Sequence, residues 1–260
     1  MRASCASLMV AITLAKFASP AAAASKCPPD SVQAGPVCVD KYEASVWQIP
    51  GGNPGLVRAV QLGRATLVSL TAAQATQLGV EGNDYGCPAS GNGCTDIYAV
   101  SIPGVVPSRY ATWFVAQQAC MNSLKRLLTN AEWQGAAAGT PDPGTDDGLS
   151  DCNTGSTFRV VDTGSRENCK SARGAFDMVG NADEWVADWS EAATGCWSWG
   201  PSFGNDYSCV GGDGTTHLPG ALIRGGNGIE DGPSAGVFAV DTRVTPETSG
   251  AVPIGFRCGR

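Results

Sequence analysis

The sequence predicts an α+β fold, rich in loops, with short strands and a few short helices. Three observations carry this reading. First, 34 glycines and 16 prolines lie among 260 residues, so turn-forming positions interrupt the chain too often for long elements. Second, charged residues make up only 16% of the chain, which argues against a helical bundle with solvated faces. Third, the apolar runs are short and switch between strand-like alternation and helical spacing. No internal repeat and no second apolar core divides the chain, so residues 25–260 read as one domain with room for a real core.

The N-terminus opens on Met1-Arg2, then an apolar run from Ala6 to Ala15, then Pro20 and the small residues Ala21 to Ala24. A basic start, a short apolar middle and a small-residue end make a cleaved export signal over residues 1–24. The run is too short to cross a bilayer, and no later stretch is long enough to make a span in the mature chain. Lys26 before Cys27 argues against lipoprotein processing. The expected location is secreted or periplasmic. A formal net charge of −7 excludes nucleic acid as a natural partner.

Of eleven cysteines, Cys5 leaves with the signal, and ten remain in an exported chain. Disulfides are then the expected state. Short bracketed loops suggest Cys27–Cys38, Cys87–Cys94, Cys152–Cys169 and Cys196–Cys209, which leaves Cys120 with Cys258. No close pair has the spacing of a zinc site.

Taken in order, Val37, Val39, Tyr42, Val46 and Trp47 alternate partly and predict one or two strands over residues 36–47. Residues 48–64, with Gly51, Gly52, Pro54 and Gly55, read as a loop. Ser69 to Gly79 reads as a short helix, with Thr71 as cap. Ile97 to Ile102 is a strand. Thr112 caps a helix through about Leu124. Thr129-Asn130-Ala131-Glu132 is a capping box, in which the Thr hydroxyl and Glu carboxylate satisfy each other's backbone N–H groups, and it opens a helix from Asn130 to Ala138. Gly139 and Pro141 stop that helix. Phe158 to Val161, Ala221 to Arg224, Val237 to Val240 and Ile254 to Cys258 are further strand candidates.

The stretch whose composition points to chemistry is Gly174 to Trp189, which joins acids, glycines and two tryptophans. Gly180 permits a turn with positive φ. Asp177 and Glu184 can then face one point with backbone carbonyls between them, a set of hard oxygens that suits calcium. Asn227, Glu230, Asp231 and Asp241 can line an acidic cleft suited to a cationic or hydroxyl-rich ligand. Trp197 and Trp199, in a cysteine-bounded loop, are surface tryptophans on which a sugar can stack. Trp185 and Trp189 read as core. His217 is the one histidine, too few for a serine triad or a three-histidine iron site, and reads as an exposed loop residue.

Four segments in order resemble the formylglycine-generating enzyme, or sulfatase-modifying factor, family: Val37 to Glu43; Trp113 to Trp133, with Lys125-Arg126-Leu127; Gly174 to Trp185; and Arg224-Gly225-Gly226 with Gly255-Phe256-Arg257-Cys258. The resemblance covers about residues 36–260. It implies a C-type-lectin-like fold and supports the Cys120–Cys258 pair. It also implies a structural calcium held by the side chains of Asp177 and Glu184 and the carbonyls of Gly180 and Ala182. The family oxidase uses a thiolate pair that binds copper just after the Arg-Gly-Gly turn. Here those two positions fall on about Glu230 and Ala235, and no cysteine lies between Cys209 and Cys258. Copper is therefore not expected, because Cu(I) selects soft thiolates. The expected function is a calcium-stabilised binding or structural module for a protein or carbohydrate ligand. The alternative is an oxidoreductase of the formylglycine-generating or another type, or an enzyme of another chemistry, acting on a protein or small-molecule substrate in the same cleft.

Overall fold

A computed structural model describes residues 27–142, 146–190, 205, 219–229, 232–248 and 253–260, together with the backbone of 196–198 and 207–209. The expected export signal lies outside these residues, as do His217, Trp199, Glu230 and Asp231.

The chain begins with a hairpin, β1 (Ser31–Ala34) and β2 (Val37–Asp40), turned at Gly35. Strand β3 (Ser45–Gln48) follows. Helix α1 (Pro54–Gln61) occupies the segment expected to be a loop. Asn53 caps it and Pro54 takes its first position, where a missing N–H is harmless. Helix α2 (Leu67–Ala72) is shorter and earlier than expected: Thr66, not Thr71, caps it in a box with Ser69. The rest of that segment is β4 (Thr76–Leu78), which pairs with β3. Strand β5 (Ile97–Val100) completes a three-stranded sheet ordered β4-β3-β5.

Helix α3 (Trp113–Asn122) starts at Thr112, whose hydroxyl accepts from the Val115 N–H. Strand β6 (Arg126–Leu127) leads to α4 (Asn130–Ala137), opened by the expected capping box between Thr129 and Glu132. Phe158 to Val161 is not a strand; Asn153 and Asn181 side chains, rather than a neighbouring strand, take the polar backbone groups of Arg159 and Val161. Then come β7 (Glu184–Ser190), β8 (Cys196–Ser198), β9 (Tyr207–Cys209), β10 (Gly220–Gly225) and β11 (Gly236–Val244). The chain closes on β12 (Gly255–Phe256) and β13 (Cys258–Gly259).

The two closing strands hold the sheets together. β12 runs parallel to β7 at the edge of a sheet ordered β12-β7-β10-β11-β9-β8, with Gly255 opposite Glu184 and Phe256 opposite Trp185. β13 lies in the middle of another, ordered β1-β2-β13-β6. Arg257 is the single residue between them. Burial follows this seam: Trp133, Trp185, Arg257 and Phe256 are among the largest fully buried side chains. Disulfides join Cys27–Cys38, Cys87–Cys94, Cys120–Cys258 and Cys152–Cys169. The backbone register of β8 and β9 sets Cys196 directly opposite Cys209; their side chains lie outside the described residues.

Candidate functional site

The turn between the Cys169 loop and β7 is built from backbone conformations that few residues adopt. Asp177, Gly180 and Asn181 have φ of 56°, 72° and 62°. A Cβ at Gly180 would stand 2.2 Å from the Asn153 carbonyl oxygen, so only glycine fits there. The turn is tied from all sides. Gly180 N–H donates to the Gly225 carbonyl, Asn181 N–H to the Asn153 carbonyl, and Gly255 N–H to the Asp183 carbonyl.

Three buried carboxylates meet at this turn. Glu184 is 1% exposed and accepts from Arg257: Nε lies 2.8 and 2.9 Å from its two oxygens, and Nη2 lies 2.5 Å from Oε1. Trp133 Nε1 donates to its Oε2 at 2.6 Å. Glu43 receives the Asn181 amide at 2.6 Å and the Ala182 N–H at 3.0 Å. Asp177 Oδ2 accepts from the Gly164 N–H at 2.7 Å. Arg257 also donates to the carbonyls of Asp40 and Phe176, which joins β2, the turn and β7.

One guanidinium faces three carboxylates. Burial, and then the neighbouring Asp177 and Glu184 charges, push Glu43 well above the usual carboxylate range. Burial is also the main cause at Asp177, which is pushed up to about 7. For Arg257 burial acts downward, but the facing carboxylates outweigh it and hold its pKa above the ordinary value. Raised pKa values at Glu43 and Asp177 lessen the negative charge the cluster holds against a single buried guanidinium.

This arrangement does not fit the calcium expected at Asp177, Gly180, Ala182 and Glu184. Both Glu184 oxygens already take N–H donors, and the guanidinium beside them repels a cation. One Asp177 oxygen is taken by a backbone N–H. The ligand types were legible in sequence, but their partner, Arg257, lies 73 residues from Glu184. Glu43 and Trp133 were within recognised segments, yet only the fold brings them to this turn.

Of the residues expected to line an acidic cleft, Asn227 and Asp241 lie among the described residues and Glu230 and Asp231 lie outside them. Asn227 is 6% exposed; its amide donates to Asp183 Oδ2 at 2.6 Å and its oxygen accepts the Ile229 N–H. Ala235 is buried and packs on Gly226, where a Cβ would meet the Ala235 Cα at 2.4 Å. Asp241 sits opposite Ile223 and is held by Arg243, while Gly225 pairs with Gly236 five residues earlier on β11. Of the tryptophans, Trp185 is fully buried with Nε1 on the Ala111 carbonyl, as expected. Trp189 is 44% exposed and is not core. It meets Trp113 and Phe114 edge-on, with ring centroids 5.1 and 5.8 Å away. Only the backbone of Trp197 is described.

The Sulfatase-modifying factor enzyme 1-like domain profile (FGE-sulfatase) matches residues 99–260. The chain belongs to this family. The sulfatase-modifying-factor match takes in α3, α4, the Asp177–Glu184 turn and both closing strands. No curated protein sequence matches the chain. Among solved structures it is similar to the Major Tropism Determinant P3c variant at 16% identity and TM-score 0.45, and to the M1 variant at 14% and 0.47. Each alignment covers 89% of this chain and 52% of the other, so the chain spans about half the length of the solved chains it matches.

Proposed function

We propose that this chain is an exported binding domain of the sulfatase-modifying-factor family that lacks the formylglycine-generating reaction and has the C-type-lectin-like fold the family implies. The observation that carries the reading is the absence of a thiol where that chemistry needs one. No cysteine lies between Cys209 and Cys258, and Ala235, at one of the two implied positions, is buried against Gly226. Eight cysteines are already joined in pairs. A disulfide is no copper ligand, and carboxylates are hard donors unsuited to Cu(I).

Export is supported by the density of disulfides, which persist in oxidising compartments. Among the described residues no helix is long and apolar enough to cross a membrane. A binding role is supported by the Trp113–Phe114–Trp189 cluster: a half-exposed indole braced by two rings offers a stacking surface for a carbohydrate or a protein side chain. The buried Arg257–Glu184 pair, rather than calcium, ties the turn to the closing strands in this reading.

Thiol titration of the exported protein, unfolded without reductant, tests the proposal. It predicts no free thiol, with Cys196 and Cys209 forming the fifth pair. Two free thiols at Cys196 and Cys209 would supply the missing soft ligands and overturn it.

A further inference from the structure

A cavity of about 490 Å³ opens between the β2–β3 connection, the segment joining α1 to α2, and the residues after β5. Its size falls in the range of small-molecule sites. Its shape depends on Gly63, with φ of 65°. A Cβ there would lie 2.1 Å from Asp30 Oδ1 and 2.9 Å from Pro28 Cβ, so glycine lets the wall close against the N-terminal strand.

The lining divides by chemistry. Ala65 and Ile102 form an apolar floor continuous with a buried cluster that includes Leu56, Val60 and Leu70. Leu67 is 40% exposed and Val68 79% exposed, which gives the mouth an apolar lip. These two residues sit in the first turn of α2, where the Thr66–Ser69 capping box fixes the backbone. Two cations stand at the wall, Lys41 and Arg64. Among the described residues no carboxylate pairs with either. Lys41 Nζ rests 5.5 Å from the Tyr42 ring centroid and 5.7 Å from that of Phe176. The one acid in the lining, Asp30, is already neutralised by Lys125 at 2.8 Å and Arg260 at 3.3 Å. A chain with net charge −7 therefore carries a locally cationic recess with an apolar floor and lip.

We propose that this cavity binds a small amphipathic anion: a carboxylate or phosphate head held by Lys41 and Arg64, on an apolar body lying over Ala65, Leu67, Val68 and Ile102. The head needs both cations because a single exposed charge pair gains little in water. The body supplies the larger share of affinity through buried apolar area.

The test uses the full exported protein with four probes of equal chain length: octanoate, octyl phosphate, octanol and octyltrimethylammonium. Binding is read by calorimetry and by amide shifts at Lys41, Arg64 and Val68. Octanoate or octyl phosphate should saturate one site, at least tenfold more tightly than octanol or the ammonium probe. Which head binds better identifies the natural head group. Lys41→Glu with Arg64→Glu, and separately Val68→Asp, should each weaken anion binding at least tenfold while the melting temperature stays within a few degrees. If the double variant fails to fold, Arg64→Gln alone should weaken binding severalfold. Equal binding of octanol and octanoate, or anion affinity unchanged by charge reversal, would overturn the proposal. So would adsorption to phosphatidylserine vesicles without saturable binding of the free anions.

Discussion

Arg257 and Glu184 form a buried, doubly bonded ion pair: the guanidinium Nε reaches both carboxylate oxygens and Nη2 reaches one of them. Both side chains are at most 1% exposed. Removing one partner leaves a buried charge without compensation, which typically costs about 3–5 kcal/mol. Arg257→Ala should therefore lower unfolding stability by that amount in denaturant titration. A loss below about 1 kcal/mol would show that water or another cation replaces the guanidinium.

The same pair bears on calcium. A cation cannot share Glu184 with Arg257 without displacing it. Removal of divalent ions with EDTA, and return of millimolar calcium, should leave the melting temperature unchanged within about 1 °C. A ligand that binds only the native state at a hundredfold over its Kd would add about 2.7 kcal/mol, so a calcium site would be easy to see. A calcium-dependent rise abolished in Asp177→Ala would show that the turn rearranges to take the ion.

Acidity gives a third prediction. Asp177 is pushed up to about 7 and Asp40 to about 6, in both cases mainly by burial. The native state thus keeps protons that an unfolded aspartate releases near pH 4. Their stabilising effect is complete below about pH 4 and is lost as pH rises through 6 and 7. Asp30 is held below its ordinary value because Lys125 and Arg260 outweigh its burial, so its contribution disappears only in stronger acid. The protein should be more stable at pH 5 than at pH 8, and Asp177→Asn should flatten that slope. Stability that rises from pH 5 to 8 would contradict the protonated cluster.

The Cys120–Cys258 disulfide links α3 to the last strand across a sequence separation of 138. Cys120→Ala with Cys258→Ala should cost about 2–5 kcal/mol, since the link closes a long loop in the unfolded chain. Equilibrium unfolding of the double variant measures this; an unchanged midpoint would place the stability of the closing strands elsewhere.

Local signals were legible in the sequence, and non-local ones, the Cys120–Cys258 pair apart, were not. Thr112 and Thr129 announce α3 and α4 because a cap is satisfied within three residues. Asn53-Pro54 announces α1 by the same logic, but the surrounding glycines mask the apolar positions Leu56 and Val60. β4 was inseparable from a helix because only its register, Val46 opposite Leu78, makes it a strand. Trp185 and Trp189 share a spacing that suits one buried face. Yet four residues of β7 span two of β10, from Ile223 to Ala221, and the irregularity ends with Trp189 at the surface. At the turn, Asp177, Gly180 and Glu184 were visible as a cluster of oxygens. The guanidinium that occupies Glu184 comes from the far end of the chain, and no spacing reveals it.

The most direct measurement of the central claim is a turnover assay. The purified protein is incubated with Cu(I), reductant, oxygen and a peptide carrying Cys-x-Pro-x-Arg, and the peptide is read by mass spectrometry. The account predicts a peptide cysteine left unchanged relative to a no-protein control, because no thiolate lies between Cys209 and Cys258 to hold the copper. Conversion of that cysteine to formylglycine over several turnovers would contradict it.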